Sequence, residues 1–241
     1  MKTAAIVIIG NEILSGRVKD TNSFFLAESL RALGVDVRRI LVIPDEIDVI
    51  GREVAALSAQ FSYVFTAGGI GPTHDDVTVE GIAYGFGLRT VENARLLAHI
   101  GTYCGDKPNE AARRMALVPE GAVIIEEEGM RFPPIQIRNV YIFPGIPEYL
   151  RNKFEMIKER FRTEPFSLMK VYINAEECNI AHIITRCAEE FPDVAVGSYP
   201  KLGIEEYKVI VTFESRDLAD VERAASMLVG LLPVGSVVRS E

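Results

Sequence analysis

The sequence predicts an α/β protein with an open, mostly parallel sheet, followed by a smaller α+β unit. Three observations carry this reading. Short apolar runs rich in β-branched residues alternate with helical patterns over the first seventy residues, joined by short connections. Past a turn-rich Arg162-Thr163-Glu164-Pro165 the order of elements changes to β-α-β-β-α, which places the domains at 1–165 and 166–241. The length of 241 residues, with 48% apolar and 25% charged residues, suits one or two soluble domains and neither a disordered nor a fibrous chain.

Taken in order, Thr3–Ile9 (TAAIVII) reads as a buried parallel strand ending at Gly10. Asp20-Thr21-Asn22-Ser23 offers N-caps for a helix in which Leu26, Leu30 and Leu33 recur at helical spacing and Gly34 closes the last turn. Val35–Val42 is a second strand, Ile47–Ala59 a second helix, and Ser62–Thr66 a third strand running into glycines. Helices are predicted at Val77–Gly85, Glu92–Ile100 and around Glu110–Met115. Ala122–Ile125, Ile135–Arg138 and Val140–Phe143 form a hairpin-like insert ending in the last core strand. Pro144-Gly145-Ile146-Pro147 turns the chain into a helix over Glu148–Phe161. The smaller unit reads Leu168–Ile173, Ile180–Ala188, Val194–Ser198, Tyr207–Phe213 and Leu218–Leu228 as βαββα.

Composition narrows the function classes. Net charge is −8, from 26 Lys and Arg against 34 Asp and Glu, so a nucleic-acid partner held by a broad basic face is not expected. A small phosphorylated ligand stays compatible, because a helix N-terminus holds an anion without any lysine. No apolar run approaches the ~18 residues of a membrane span, and Met1-Lys2 leads into a strand rather than a signal peptide, so no membrane partner is expected. Cys104, Cys178 and Cys187 are odd in number and form no C-x-x-C, which argues against a disulfide framework or zinc knuckle and makes the cytoplasm the expected compartment.

The chemistry is expected in Thr66–Thr78 (TAGGIGPTHDDVT), between a predicted strand and a predicted helix, at the sheet edge where open α/β folds bind ligands. Gly68, Gly69 and Gly71 allow sharp turns and close approach, and their N–H groups can converge on phosphate oxygens, with Ile70, Pro72 and the hydroxyls of Thr66, Thr73 and Thr78 alongside. A plain tight turn is the competing account. No Gly-Lys-Ser/Thr follows, so this is not a Walker loop; nor is it G-x-G-x-x-G, and no nicotinamide cofactor is invoked. Asp75-Asp76 supplies either an N-cap with a first-turn charge or, with one acid beside a phosphate, a site that needs an intervening divalent cation. His74 reads as loop-stabilising, and His99 and His182 as structural.

A second cluster, Gly10-Asn11-Glu12-Ile13-Leu14-Ser15-Gly16, follows the first strand at the same edge. Glu12 is a candidate metal ligand or general base, Asn11 a hydrogen-bonding group, and both equally fit a role in shaping the turn. Thr21 and Asn22 could reach the same pocket, Pro144 and Gly145 would wall it, and Lys107, Asn109, Arg113 and Arg114 offer positive charge or simply a solvated face.

TAGGIGPTHDDVT, preceded by GNEILSG and followed by FPGIP, resembles the molybdopterin-binding-domain superfamily (MoaB/Mog-like). The match falls in the branch shared by CinA-type competence/damage-inducible proteins and the N-terminal region of animal FAD synthases. VIPDEI (Val42–Ile47), RFPPIQIRNVYIFPGIPEYLR (Arg131–Arg151) and VGSYP (Val196–Pro200) resemble the FAD synthase region, so the likeness spans nearly the whole chain. The resemblance implies a three-layer α/β/α sandwich with a small α+β domain, and an oligomer of identical chains. It implies a ligand of the FAD, ADP-ribose or molybdopterin class and a divalent cation (Mg, Co, Ni or Mn). By the same resemblance, Gly68, Gly69, Gly71, Pro72 and Thr73 would hold phosphate, while Asp75 and Asp76 would serve metal or catalysis.

Two departures bear on function. The superfamily usually has Gly-Asp-Glu after the first strand, where this chain has Gly10-Asn11-Glu12, one potential metal ligand fewer. The chain ends at Glu241, without room for a reductase-like or deamidase domain, so it is not expected to synthesise FAD. The expectation is a metal-dependent pyrophosphatase acting on a dinucleotide. Its rivals are a non-catalytic molybdopterin- or nucleotide-binding module, and an adenylyltransferase of molybdenum-cofactor assembly.

Overall fold

The structure, a computed structural model, describes residues 1–104, 109–127 and 132–241. Two compact units divide the chain, Met1–Thr163 and Glu164–Glu241.

The larger unit opens with β1 (Thr3–Ile9), α1 (Asn11–Leu14), α2 (Asn22–Ala32), β2 (Asp36–Ile43), α3 (Ile47–Gln60), β3 (Tyr63–Ala67) and α4 (Thr78–Phe86). It continues with β4 (Thr90–Glu92), α5 (Ala94–Cys104), α6 (Glu110–Met115), β5 (Leu117–Pro119), β6 (Val123–Ile124), β7 (Ile135–Ile137), β8 (Val140–Phe143) and α7 (Pro147–Ile157), extended by a 3-10 turn at Lys158–Phe161. Its main sheet has the order β2-β1-β3-β8-β7-β6. The first four strands run parallel, and β7 and β6 add an antiparallel edge.

Burial explains the layers. Beyond Thr3, β1 is buried at every position because helices cover both faces. Ala5, Val7 and Ile9 point into one core with Ile50, Val54, Leu57 and Ile82 of α3 and α4. The alternate Ala4, Ile6 and Ile8 meet Leu26 and Leu30 of α2 and Leu150, Phe154 and Ile157 of α7 on the other face. The result is a three-layer α/β/α sandwich. In its second core Phe65 stacks on Tyr141 with ring centroids 5.5 Å apart and meets Phe161 edge-on at 5.0 Å. On the opposite face α4 lies directly on α3, since a Cβ on Gly85 would come within 2.2 Å of the Gly51 carbonyl oxygen.

The smaller unit comprises β9 (Ser167–Ile173), α8 (Glu177–Glu190), β10 (Ala195–Pro200), β11 (Val209–Ser215), α9 (Leu218–Leu231) and β12 (Val237–Ser240). The strands form an antiparallel sheet, β10-β11-β9-β12. Its core joins Val171, Val211 and Phe213 to Ile180 and Cys187 of α8 and Val221 and Leu228 of α9.

Several local expectations change. Asn11–Leu14 is a helical turn rather than an open loop. The helix expected from Glu92 begins at Ala94, because Glu92 pairs in β4 with β5 and Asn93 Oδ1 accepts from the N–H groups of Arg95 and Leu96, both at 3.1 Å. β5 and β12 are additions to the sequence reading: three and four residues are too short for a periodic signal. Among the described residues, no helix is long and apolar enough to cross a membrane.

Candidate functional site

Because β2, β1, β3 and β8 are parallel neighbours, their C-terminal ends bring four loops to one edge: residues 44–46, 10–16, 68–77 and 144–146. They border a cavity of about 740 Å³, within the range of ~300–1,000 Å³ typical of small-ligand sites. Glu12, Gly68, Gly69, Ile70, Gly71, Pro72, Asp75, Asp76, Pro144 and Gly145 line it, whereas Gly10, Asn11, Thr73 and Thr78 stand behind the wall.

The glycine loop takes a shape that side chains would forbid. Gly68 and Gly69 have φ of +111° and +63°, a region that suits residues without a Cβ. A Cβ on Gly68 would lie 2.1 Å from the Ile9 carbonyl oxygen, and one on Gly69 2.3 Å from Thr78 Oγ1. Thr78 is fully buried and clamps the loop from behind: its hydroxyl donates to the Gly68 carbonyl at 2.9 Å and its N–H to the Gly69 carbonyl at 3.0 Å. Among the described residues, no hydrogen bond uses the N–H of Gly69, Ile70 or Gly71, so three consecutive donors at the cavity wall are left for another acceptor. Thr66, which also carries a hydroxyl, is buried within β3 and lies outside the cavity lining.

The two aspartates do not cap α4, whose N-cap position is Val77 with no side-chain hydrogen bond. Asp76 instead closes the turn before it, accepting from the Thr73 N–H at 2.8 Å and the Thr73 hydroxyl at 2.5 Å. The same hydroxyl lies 2.6 Å from Asp75 Oδ1. That contact, with backbone N–H and the charges of His74 and Arg114, holds the Asp75 carboxyl below the usual carboxylate range. Glu12 folds back on its own loop, so that a Cβ on Gly10 would meet Glu12 Oε1 at 2.4 Å.

Asp45 is a site residue that sequence reasoning missed. Its Oδ2 accepts the Asn11 N–H at 2.8 Å, and its Oδ1 lies 3.5 Å from where a Cβ on Gly69 would stand. Burial raises its pKa, and the charges of Glu12, Asp75 and Asp76 raise it further against the Asn11 hydrogen bond. The clue was positional: Asp45 opens the loop after β2, at the edge already singled out.

The positive charge is distributed differently from expectation. Arg114 lines the cavity, and its Nη2 donates to the carbonyls of His74 at 3.4 Å and Asp76 at 3.3 Å, tying α6 to the loop. Arg113 pairs with Glu92 at 3.1 Å, and Asn109 caps α6 by accepting the Ala112 N–H at 2.9 Å, so both are structural. Lys107 lies outside the described residues. Asn22 neither caps α2 nor lines the cavity. Asp20 accepts the N–H groups of Asn22 and Ser23, while Asn22 Nδ2 donates to the Gly145 carbonyl at 2.7 Å and anchors the 144–146 loop.

Lys153 was also missed. It lies on the buried stripe of α7 with Leu150, Phe154 and Ile157, lines the cavity, and is only 6% exposed. Burial pushes its pKa down to about 8. A lysine at an apolar-stripe position was a legible signal.

The donor set suits a hard cation: Glu12, Asp45, Asp75, Asp76 and Glu80 all border the cavity. Among the described residues, however, no three His, Cys, Asp or Glu side chains form a ready-made metal cage. The carboxylates therefore fit a cation whose coordination is completed by ligand oxygens, as magnesium sites commonly are.

Residues 5–163 match the "probable molybdopterin binding domain" family. The chain belongs to that family. Residues 165–241 match a second family, the middle domain of FAD synthase. An Archaeoglobus fulgidus protein is 36% identical over 227 residues, 94% of this chain and 96% of that one. A "probable FAD synthase" of Caenorhabditis elegans is 32% identical over 259 residues, 96% of this chain and 50% of that enzyme, so the chain spans about half its length. Among solved structures, the CinA protein of unknown function from Thermoplasma acidophilum is 31% identical with a TM-score of 0.62, over 66% of this chain and 98% of that one. The molybdopterin-binding domain is thus the unit that carries the cavity.

Proposed function

We propose that this molybdopterin-binding-like domain binds a phosphorylated nucleotide or pterin through its glycine loop and hydrolyses the pyrophosphate bond of a dinucleotide such as FAD or ADP-ribose. The observation that carries the reading is the run of three N–H groups at Gly69, Ile70 and Gly71, free of other partners among the described residues and bordered by carboxylates. Backbone amides in such a bend bind phosphate oxygens, and acids so close to them require a cation between. Asp75, Asp76 and Glu12 would hold a divalent ion together with the pyrophosphate. When bound, the ion supplies charge neutralisation and favours a deprotonated water. Water adds to one phosphorus, the bridging P–O bond breaks, and AMP leaves with one phosphate while its former partner keeps the other. Asp45, with its raised pKa, is the carboxylate suited to take the proton from water.

The test is AMP release from FAD and ADP-ribose by purified protein with Mg, Co, Ni or Mn. Activity should require metal and vanish in Asp76→Ala. The absence of AMP across all four metals and both substrates rejects hydrolysis. One observation favours a second reading, a binding module without turnover: no three-ligand metal cage exists among the described residues, and Asn11 stands where the superfamily resemblance places an acid. Saturable binding with the ligand recovered intact would select it.

A further inference from the structure

The cavity is chemically divided. Toward the glycine loop it is lined by carboxylates; elsewhere its wall is Phe132, Pro133, Pro134, Ile135, Ile142 and the side chain of Lys153. The two regions lie along α7. That helix starts at Pro147, next to Gly145, whose Cβ would stand 3.3 Å from the Gly68 Cα. Lys153 is six residues further, about 9 Å along the axis at 1.5 Å per residue. A phosphate in the loop thus leaves room for a sugar-type linker before the ligand reaches Lys153.

Apolar walls of this kind accept the faces of a flat ring. The Lys153 ammonium, 5.7 Å from the Phe132 ring centroid and nearly excluded from water, gains from a ligand acceptor that replaces lost hydration. Carbonyl oxygens at a ring edge supply such an acceptor. An exocyclic amine does not, because it presents donors to a donor.

We propose that Lys153 and this apolar wall form a ring subsite that selects a flat heterocycle with a carbonyl edge, a flavin or a pterin, over adenine. The inference rests on the reading that the glycine loop holds phosphate.

FMN and AMP test it, since each carries one phosphate and the two differ in their rings. In calorimetric titration the wild type should bind FMN about tenfold or more tighter than AMP, the effect of one hydrogen bond to a charged group. Lys153→Met should remove that preference and leave AMP affinity within about threefold. Lys153→Arg, which keeps the charge, should retain part of it. Binding should shift the flavin absorption spectrum in the wild type and not in Lys153→Met; a thermal melt confirms that each variant is folded. Equal loss for FMN and AMP assigns the lysine to phosphate and overturns the proposal, as does no loss for either. AMP binding without an FMN preference overturns this inference alone, whereas failure of both ligands to bind overturns the phosphate reading with it.

Discussion

A buried lysine that serves a ligand should weaken the protein that carries it, and Lys153 makes this measurable. Burial lowers its pKa from 10.5 to about 8. At 1.36 kcal/mol per pKa unit, that shift corresponds to about 3 kcal/mol of destabilisation at pH 7. Lys153→Met keeps the length of the chain and removes the charge. It also loses the contact with the Phe132 ring, worth about 1 kcal/mol. The expected net gain is about 2 kcal/mol, or roughly 4–8 °C in the melting transition of a domain this size. The sign with pH is fixed by proton counting. Between about 8 and 10.5 the unfolded chain keeps the lysine proton while the folded chain has released it, so wild-type stability rises with pH across that window. The advantage of Lys153→Met should therefore shrink between pH 7 and pH 9.5. Urea unfolding of both proteins at the two pH values gives the difference directly and cancels every other titrating group. A variant less stable than wild type at pH 7, or an advantage that stays constant to pH 9.5, would refute the claim that the buried charge is held at a cost.

Three further outcomes follow from the loop. Asp45 has a raised pKa, so its charge costs stability above its folded titration and none at low pH; Asp45→Asn should be stabilising at pH 7 and neutral near pH 3, read from melts at both values. Gly69→Ala places a Cβ 2.3 Å from Thr78 Oγ1 at a φ of +63°, and should cost at least about 1–2 kcal/mol in urea unfolding and abolish phosphate-ligand binding. Thr78→Val strips the hydroxyl bond to the Gly68 carbonyl in a fully buried position, with an expected loss of about 1–3 kcal/mol by the same assay. Wild-type-like unfolding by either loop variant would show that the bend is not clamped as described.

Much of the architecture was legible because it is written in local patterns. The run TAAIVII could only be a strand covered on both faces, and β1 is buried at six of its seven positions. The β3 glycines sit between strand and helix, so their place at the sheet edge followed from topology alone. What escaped were short or pairing-dependent pieces. β12 exists because Val237 to Ser240 find the free edge of β9, a long-range partner invisible to periodicity. Asn93, three residues into an otherwise helical pattern, capped α5 and left Glu92 to a strand.

The site divides the same way. Gly68, Gly69 and Gly71 were readable as a ligand loop because backbone shape is encoded by which residues lack a side chain. Chemical environment is not encoded locally. Asp45 and Asp75 are both aspartates beside the cavity, yet burial raises one pKa and the Thr73 hydroxyl lowers the other. Lys153 looks like any helix lysine until α7 turns it into an apolar wall. Sequence by itself determined the elements, their order and the edge where ligands meet the sheet, since these depend on neighbours along the chain. Only tertiary structure decided which Thr73, Asp76 and Thr78 groups brace the loop, which carboxylates crowd together, and which cation is shut away from water, since these depend on neighbours in space.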